Sequence, residues 1–318
     1  LGGHVRLLSV VGADEPGNQL LHHCHEIGIA VEDTVQIQDG RTATYTALLD
    51  GAGELVGAVA DMAIFDSLGP EVLAARCGSM AGVGLLICDA NLSSSALEAA
   101  LKTATEAGIP AWFEPVSVAK ACRGRLHSPW HLSTPNWEEL LALLGREPRA
   151  LELSEGKLPI ELFEALAEAR KAKVAENFLL SLGPRGCVLA SEAPSSSLQG
   201  YPKSFEFNVA TLVGDASLPP LVVQVEVVAV GSSSSRFLWY RLLKPLESVR
   251  DVTGAGDALL AGTASAFAAG WALEEAVLAG LLAAHLTLFV DGGVAPTLTP
   301  GLLAKLRASL GNARQSRL

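Results

Sequence analysis

Short apolar runs alternate with a helical stretch through the middle of this chain, and that alternation restricts the fold more than any other feature. Gly84–Asp89 and Ile109–Phe113 read as buried strands, with the helical pattern of Ser93–Ala107 between them. Strands joined through a helix run parallel, so such units build a parallel sheet covered by helices. Val5–Val11 reads as a further buried strand, ending at Gly12-Ala13-Asp14 and followed by a helix over Asn18–Glu26. Ligands of these sheets collect at the carboxyl ends of the strands. Glu114, Asn136 and Gly183 each follow a predicted strand or short connection, so one crevice can hold all of them.

Composition narrows the function classes. At 318 residues, 49% hydrophobic and 18% charged, the chain can bury a large core and is not disordered over most of its length. A formal net charge of −11 leaves no basic footprint for nucleic acid or acidic membranes, so phosphate handling has to be local, through loops, helix ends and metal. Cys24, Cys77, Cys88, Cys122 and Cys187 are odd in number and have no Cys-x-x-Cys spacing, which favours reduced thiols and a cytoplasmic location. The apolar segments around 258–273 and 276–290 fall short of the ~20 residues of a membrane span and read as buried core helices. His22, His23, Cys24 and His25 have the composition of a metal site, but consecutive residues of a helix point in different directions and do not converge on one ion. The chain begins at Leu1 with neither an initiator Met nor a signal pattern, and reads as cut.

Two further regions stand out. Thr34–Leu49 and Leu55–Met62 flank Asp50-Gly51-Ala52-Gly53-Glu54 and are β-branched and alternating, which predicts a hairpin, either a plain edge hairpin or a lid over a ligand. Between Ser191 and Leu246 the serine runs Ser195–Ser197 and Ser232–Ser235 enclose an apolar, strand-like Leu221–Val230.

Asp251-Val252-Thr253-Gly254-Ala255-Gly256-Asp257 leads directly into the apolar helical stretch that follows. Unfilled N–H groups and aligned peptide dipoles at a helix start form an anion site, and glycines without Cβ let the backbone approach a ligand. A carboxylate beside an anion site repels the anion, so Asp257 needs a reason to be there. Taking a proton from a hydroxyl that attacks a phosphoryl group supplies one. An ordinary glycine turn capped by Asp257 explains the turn but leaves Asp251-x-Thr253 unexplained. A dinucleotide loop would need a third glycine where Leu259 stands, and no Gly-x-x-x-x-Gly-Lys occurs.

This loop resembles the Asp-x-Thr-Gly-Ala-Gly-Asp signature of the ribokinase-like (PfkB) carbohydrate and nucleoside kinases. The resemblance implies an α/β fold, a three-layer α/β/α sandwich with a mostly parallel sheet and a small β lid. The kinase core would be 1–34 and 63–318, the hairpin lid 35–62, and an insertion, partly loop, would lie within 191–246. Family members begin with a further strand carrying a sugar-binding Asp, which has no counterpart at Leu1-Gly2-Gly3. Pro135-Asn136-Trp137-Glu138-Glu139 is similar to the family's Pro-Asn-x-x-Glu element, which positions Mg2+. By itself, Asn136 could equally cap a helix. Leu182-Gly183-Pro184-Arg185-Gly186 is similar to the nucleotide turn, although strand, glycine and strand also describe a simple hairpin.

The implied roles are Asp257 as general base, with N–H groups of Gly254, Ala255 and Gly256 stabilising the transferring group. Gly183 and Gly186 would serve ATP, Asn136 and Glu139 would hold Mg2+ through water, and Asp251 and Thr253 match a K+ site. Thr44 and Lys120 are substrate candidates. Ala60-Asp61-Met62-Ala63-Ile64-Phe65 and Glu114-Pro115-Val116-Ser117-Val118-Ala119-Lys120 look like the corresponding strings of pseudouridine kinases. The expected activity is therefore ATP-dependent phosphorylation of the pseudouridine 5′-hydroxyl, in a homodimer formed through the β lid. The alternatives are a kinase of ribose, fructose or adenosine, or a truncated, catalytically impaired interaction protein of the same fold.

Overall fold

The computed structural model describes residues 1–49, 55–76, 81–152, 156–192, 203–228, 235–243 and 249–315. Cys77, the 50–54 turn, Ser195–Ser197 and Ser232–Ser234 lie outside the described residues. The chain divides into two compact units, one of His4–Ala111 with Arg123–Ser128, the other of Leu1–Gly3, Trp112–Cys122 and Pro129–Leu318.

The first of these units contains β1 (Val10–Gly12), α1 (Glu15–Glu26), β2 (Val35–Ile37), β3 (Thr44–Leu49), β4 (Leu55–Asp61), α2 (Pro70–Arg76), β5 (Leu86–Asp89) and α3 (Ser94–Glu106). Asp14 caps α1 by accepting the Gly17 N–H, and Pro16 occupies the first turn, where its missing N–H costs nothing. Ser93 caps α3 in the same way, and Ala96, Leu97, Ala100, Leu101 and Ala104 form its buried stripe. β3 and β4 pair antiparallel, Thr44 opposite Asp61 and Thr46 opposite Val59. The hairpin is shorter than its alternation suggested. Residues 35–37 pair instead in parallel with β1, Val10 opposite Val35, and complete a buried strand that would otherwise leave ladder groups without partners. The break falls at Gly40, where a Cβ would lie 2.9 Å from Ile37. His22, His23 and His25 are exposed on α1, and no group of three or more His, Cys, Asp or Glu suited to a metal occurs among the described residues.

The second unit contains β6 (Ala111–Glu114), α4 (Val118–Ala121), β7 (Trp130–Ser133), α5 (Trp137–Leu143), α6 (Ile160–Lys171), β8 (Ala175–Ser181), β9 (Cys187–Ser191), β10 (Ser204–Phe207), α7 (Val209–Val213), β11 (Leu221–Val228), β12 (Arg236–Leu242), α8 (Ala255–Ala268), α9 (Leu273–Thr287) and α10 (Pro300–Gln315). Its strands lie in the order β10-β11-β12-β9-β8-β7-β6. β6, β7 and β8 are parallel, and every pairing from β8 to β10 is antiparallel. Strands covered on both faces read as apolar runs, and Trp112, Phe113, Trp130, Leu132, Phe178 and Leu180 are all fully buried. The described part of 191–246 is sheet and a short helix. In β11, Leu221, Val223 and Val225 are buried while the residues between them are partly exposed, the alternation of an antiparallel strand with one wet face.

α8 and α9 cross at backbone distance. A Cβ on Gly280 would lie 2.1 Å from Thr263 Oγ1 and 2.4 Å from the Leu259 carbonyl, and one on Gly262 would lie 2.7 Å from the Ala279 carbonyl. Both helices are core elements, as their apolar sequences imply. No helix among the described residues is long and apolar enough to cross a membrane.

Candidate active site

The carboxyl ends of β6, β7 and β8 and the amino end of α8 surround a cavity of about 180 Å3, as expected for the ligand end of parallel strands. Glu114 enters it from β6, Thr134, Asn136 and Glu139 from the segment after β7, Ser181 from β8, and Gly256 and Asp257 from α8. Three carboxylates therefore face one small space, and its described lining carries no Lys or Arg.

Asn136 and Glu139 form a reciprocal capping box at the start of α5. Asn136 Oδ1 accepts the Glu139 N–H at 2.9 Å, and Glu139 Oε2 accepts the Asn136 N–H at 2.9 Å. The cap and the cavity position coexist, because one turn of helix puts both side chains at the lining. The Ser181 N–H donates to the Pro135 carbonyl at 3.0 Å and ties this turn to the end of β8. Burial raises the Glu139 carboxyl above the ordinary range, against the opposing pull of the Asn136 N–H.

Glu114 is the last residue of β6. Its Oε1 accepts the Val116 N–H at 3.2 Å, and its Oε2 accepts the Thr134 hydroxyl. Val116 has φ 65, a conformation that a β-branched residue avoids, and this local strain accompanies the turn that brings its N–H back to the carboxylate. Burial pushes the Glu114 carboxyl up to about 7; the two hydrogen bonds oppose the rise, and the negative charges of Glu139 and Asp257 add to it. An acid held near neutrality by burial and like charge suits a site that gains or loses a proton or a cation.

Asp257 is the third residue of α8, whose N-cap is Gly254 at φ 77. A Cβ at Gly254 would lie 2.3 Å from the Gly293 carbonyl, so glycine is needed there for close approach as well as for its dihedral. The Ala255 N–H donates to the Val252 carbonyl at 3.3 Å. Within the expected anion loop, Gly256 and Asp257 line the cavity, while Gly254 and Ala255 shape the turn beneath it. The N–H groups of a helix's first turn have no intrahelical acceptor, and the Gly256 amide belongs to that set.

The remaining sequence candidates lie elsewhere. Asp251 Oδ1 accepts the Thr253 N–H at 2.8 Å, and neither residue lines the cavity. Gly183 (φ 55) opens a 3-10 turn between β8 and β9, and Gly186 (φ 87) closes it. A Cβ on Gly186 would lie 1.9 Å from the Tyr240 carbonyl, whereas nothing lies within 4 Å of one on Gly183. Packing against β12 thus accounts for Gly186, and Gly183 borders open space. Lys120 lies on α4, outside the lining, and Thr44 is an exposed residue at the start of β3 in the other unit. Thr134 and Ser181 are polar lining residues that sequence reasoning did not select, beside the apolar Leu179, Leu259 and Leu260; hydroxyls at strand ends carry no spacing signal of their own.

The pfkB family carbohydrate kinase profile matches residues 1–209 and 229–300, a break that falls within the 191–246 region. A pseudouridine kinase of Arabidopsis thaliana is 28% identical over 304 residues, covering 91% of this chain and 78% of that protein. A pseudouridine kinase of Escherichia coli is 34% identical over 154 residues, 46% of this chain and 48% of the relative. Among solved structures, a ribokinase of Cryptococcus neoformans in complex with ADP superposes with a TM-score of 0.67 at 17% identity, covering all (100%) of this chain and 83% of the other.

Proposed function

Because the chain belongs to the pfkB family of carbohydrate kinases, a family of phosphotransferases with alcohol acceptors, we propose that it phosphorylates the 5′-hydroxyl of pseudouridine from ATP, with Asp257 as general base. The observation that carries the mechanism is the placement of Asp257 and Gly256 together at the mouth of the acidic cavity. In this reading the acceptor hydroxyl gives its proton to Asp257 as its oxygen bonds to the γ-phosphorus. The bond to the bridging oxygen breaks, and ADP leaves with the electron pair. The first-turn N–H of Gly256 faces the transferring group, where a donor acts on developing negative charge. The likeness to pseudouridine kinases along most of the chain supports the choice of acceptor.

A family kinase implies Mg2+, and the lining fits one. Glu114, raised to about 7, stands among like charges and oxygen donors, the environment that a hard cation relieves. Asn136 and Glu139 would hold the ion through its water shell, with Glu114 beside them. When bound, it neutralises charge on phosphate oxygens. Asp251 and Thr253 hydrogen-bond each other instead of converging on the cavity, so no step is assigned to K+. A rate higher in K+ than in Na+ would assign one.

ADP release measured with pseudouridine, ribose, fructose and adenosine tests the reading. Turnover is expected with pseudouridine, falling about 10²- to 10⁴-fold in Asp257→Asn, the contribution of a positioned general base. Turnover confined to another acceptor would refute the substrate. A folded protein with no turnover on any of the four would refute the activity, as the impaired alternative requires.

A further inference from the structure

The β3–β4 hairpin is exposed on both faces of its ribbon. Tyr45 is 59% exposed, Leu48 and Val56 64%, and Val59 76%. Among the described side chains neither face of the ribbon is packed, and such a ribbon is marginal in water, so its roots are where it is held to its own unit. At the exit, Asp61 Oδ1 lies 3.5 Å from the Ala63 N–H, a weak bond. The entry is different. Thr42, two residues before β3, is only 6% exposed.

Asp14 holds it there. Asp14 Oδ2 accepts the Thr42 N–H at 2.8 Å, and Oδ1 accepts both the Thr42 hydroxyl and, at 3.0 Å, the Gly17 N–H at the start of α1. The Thr42 Oγ1 in turn accepts the Gly12 N–H at 2.9 Å, so the end of β1 joins the same cluster. Two glycines make the close approach feasible. A Cβ at Gly12 would lie 2.3 Å from the Gly40 carbonyl and 2.8 Å from the Thr42 nitrogen, and one at Gly17 would lie 2.7 Å from Thr42 Oγ1. The Thr42 hydroxyl, then its N–H, are the largest influences keeping the Asp14 carboxyl below the ordinary carboxylate range. A helix cap needs only one of these contacts. The rest join segments 28 residues apart in sequence.

We propose that Asp14 is a positioning residue for the hairpin, clasping Thr42 so that the ribbon leaves the β1–α1 corner at a fixed place. If the hairpin is the acceptor lid expected above, the clasp sets the lid's hinge, and that consequence alone rests on the kinase reading. Asp14→Asn separates the two duties of the side chain. Asparagine is as good an N-cap as aspartate, but its NH2 faces the Thr42 N–H, donor against donor.

Hydrogen–deuterium exchange on the full chain gives the test, with Asp14→Asn, Thr42→Val and Thr42→Ser beside the wild type. Exchange of the amides in 44–49 and 55–61 should speed up about tenfold in Asp14→Asn and Thr42→Val, with 18–26 of α1 unchanged, and return to wild type in Thr42→Ser. Unchanged hairpin exchange in both variants, or α1 loosened as much as the hairpin, would overturn the clasp. This readout needs no turnover, so a protein without kinase activity whose hairpin still loosens keeps the clasp and loses the kinase reading. Where turnover is measurable, a raised KM for the acceptor with that for ATP unchanged supports the lid hinge, and equal KM values despite a loosened hairpin refute it.

Discussion

Replacing Glu114 by Gln should make the protein's stability less sensitive to a rise in pH from about 4.5 to about 7. The substitution keeps shape and hydrogen bonds. The Gln carbonyl can accept the Val116 N–H, and its NH2 can donate to Thr134 Oγ1, whose hydroxyl then turns to the Phe113 carbonyl 3.3 Å away. What is lost is the charge. Below an ordinary 4.5 the carboxyl is protonated in both folded and unfolded chains, and burial of the neutral acid is common to both variants. Between 4.5 and about 7 the folded protein keeps a proton that the unfolded chain has released, so stability falls as pH rises through that window and stays at the lower level above it. The gap from 4.5 to about 7, at about 1.4 kcal/mol per pH unit, comes to about 3–4 kcal/mol, most of it falling above pH 4.5. Glu139 responds in the same direction in both proteins, so it largely cancels in the comparison. Urea unfolding of both proteins from pH 4.5 to pH 8, in chelator, should show the variant gaining on the wild type by about 2–3 kcal/mol across the range. Mg2+ at pH 8 should narrow the gap by restoring what burial takes from the charged form. A difference that stays constant with pH would refute the placement of a near-neutral acid in this cavity.

Other outcomes follow from the same geometry. Asn136→Ala removes the acceptor for the Glu139 N–H and should cost about 1 kcal/mol in chemical denaturation, with Asn136→Asp close to wild type because it still caps α5. Gly186→Ala would put a methyl 1.9 Å from the Tyr240 carbonyl at φ 87, and should lower stability by more than about 2 kcal/mol. Gly183→Ala has open space around it and should cost about 1 kcal/mol, from its left-handed φ alone. Calorimetry that ranked the two glycines in the opposite order would contradict the turn.

Much of the parallel part was legible because fully covered strands are written as apolar runs. Residues 111–114 follow that rule closely, buried from Ala111 to Phe113, whereas 86–89 form the expected strand with only Cys88 buried and Ile87 exposed. The hairpin bounds were less legible. Residues 35–37 alternate like the residues after them, and only tertiary pairing with β1 separates the two. The alternation of 221–228 did mark a strand, whereas its place beside β10 and β12 depends on long-range partners that no local pattern encodes. In the site, spacing marked Asn136, Glu139, Gly256 and Asp257. It did not show which glycines face the cavity and which face a neighbouring backbone, because that depends on Gly293 and Tyr240, distant in sequence. Thr134 and Ser181 enter the lining only because β7 and β8 end side by side, Ser133 opposite Phe178.

The crossing of α8 and α9 has a consequence for how such a protein can change over time. Where Gly280 meets the Leu259 carbonyl and the Thr263 hydroxyl, itself bonded to that carbonyl at 2.7 Å, there is no room for a side chain on α9, so backbone and one anchored hydroxyl set how α8 presents Asp257. Drift on the neighbouring strands can be absorbed by repacking. At this crossing a single added methyl would displace α8 at Leu259, just past Asp257, so sequence change is absorbed more easily in the loops around that carboxylate than in the helix pair beneath it.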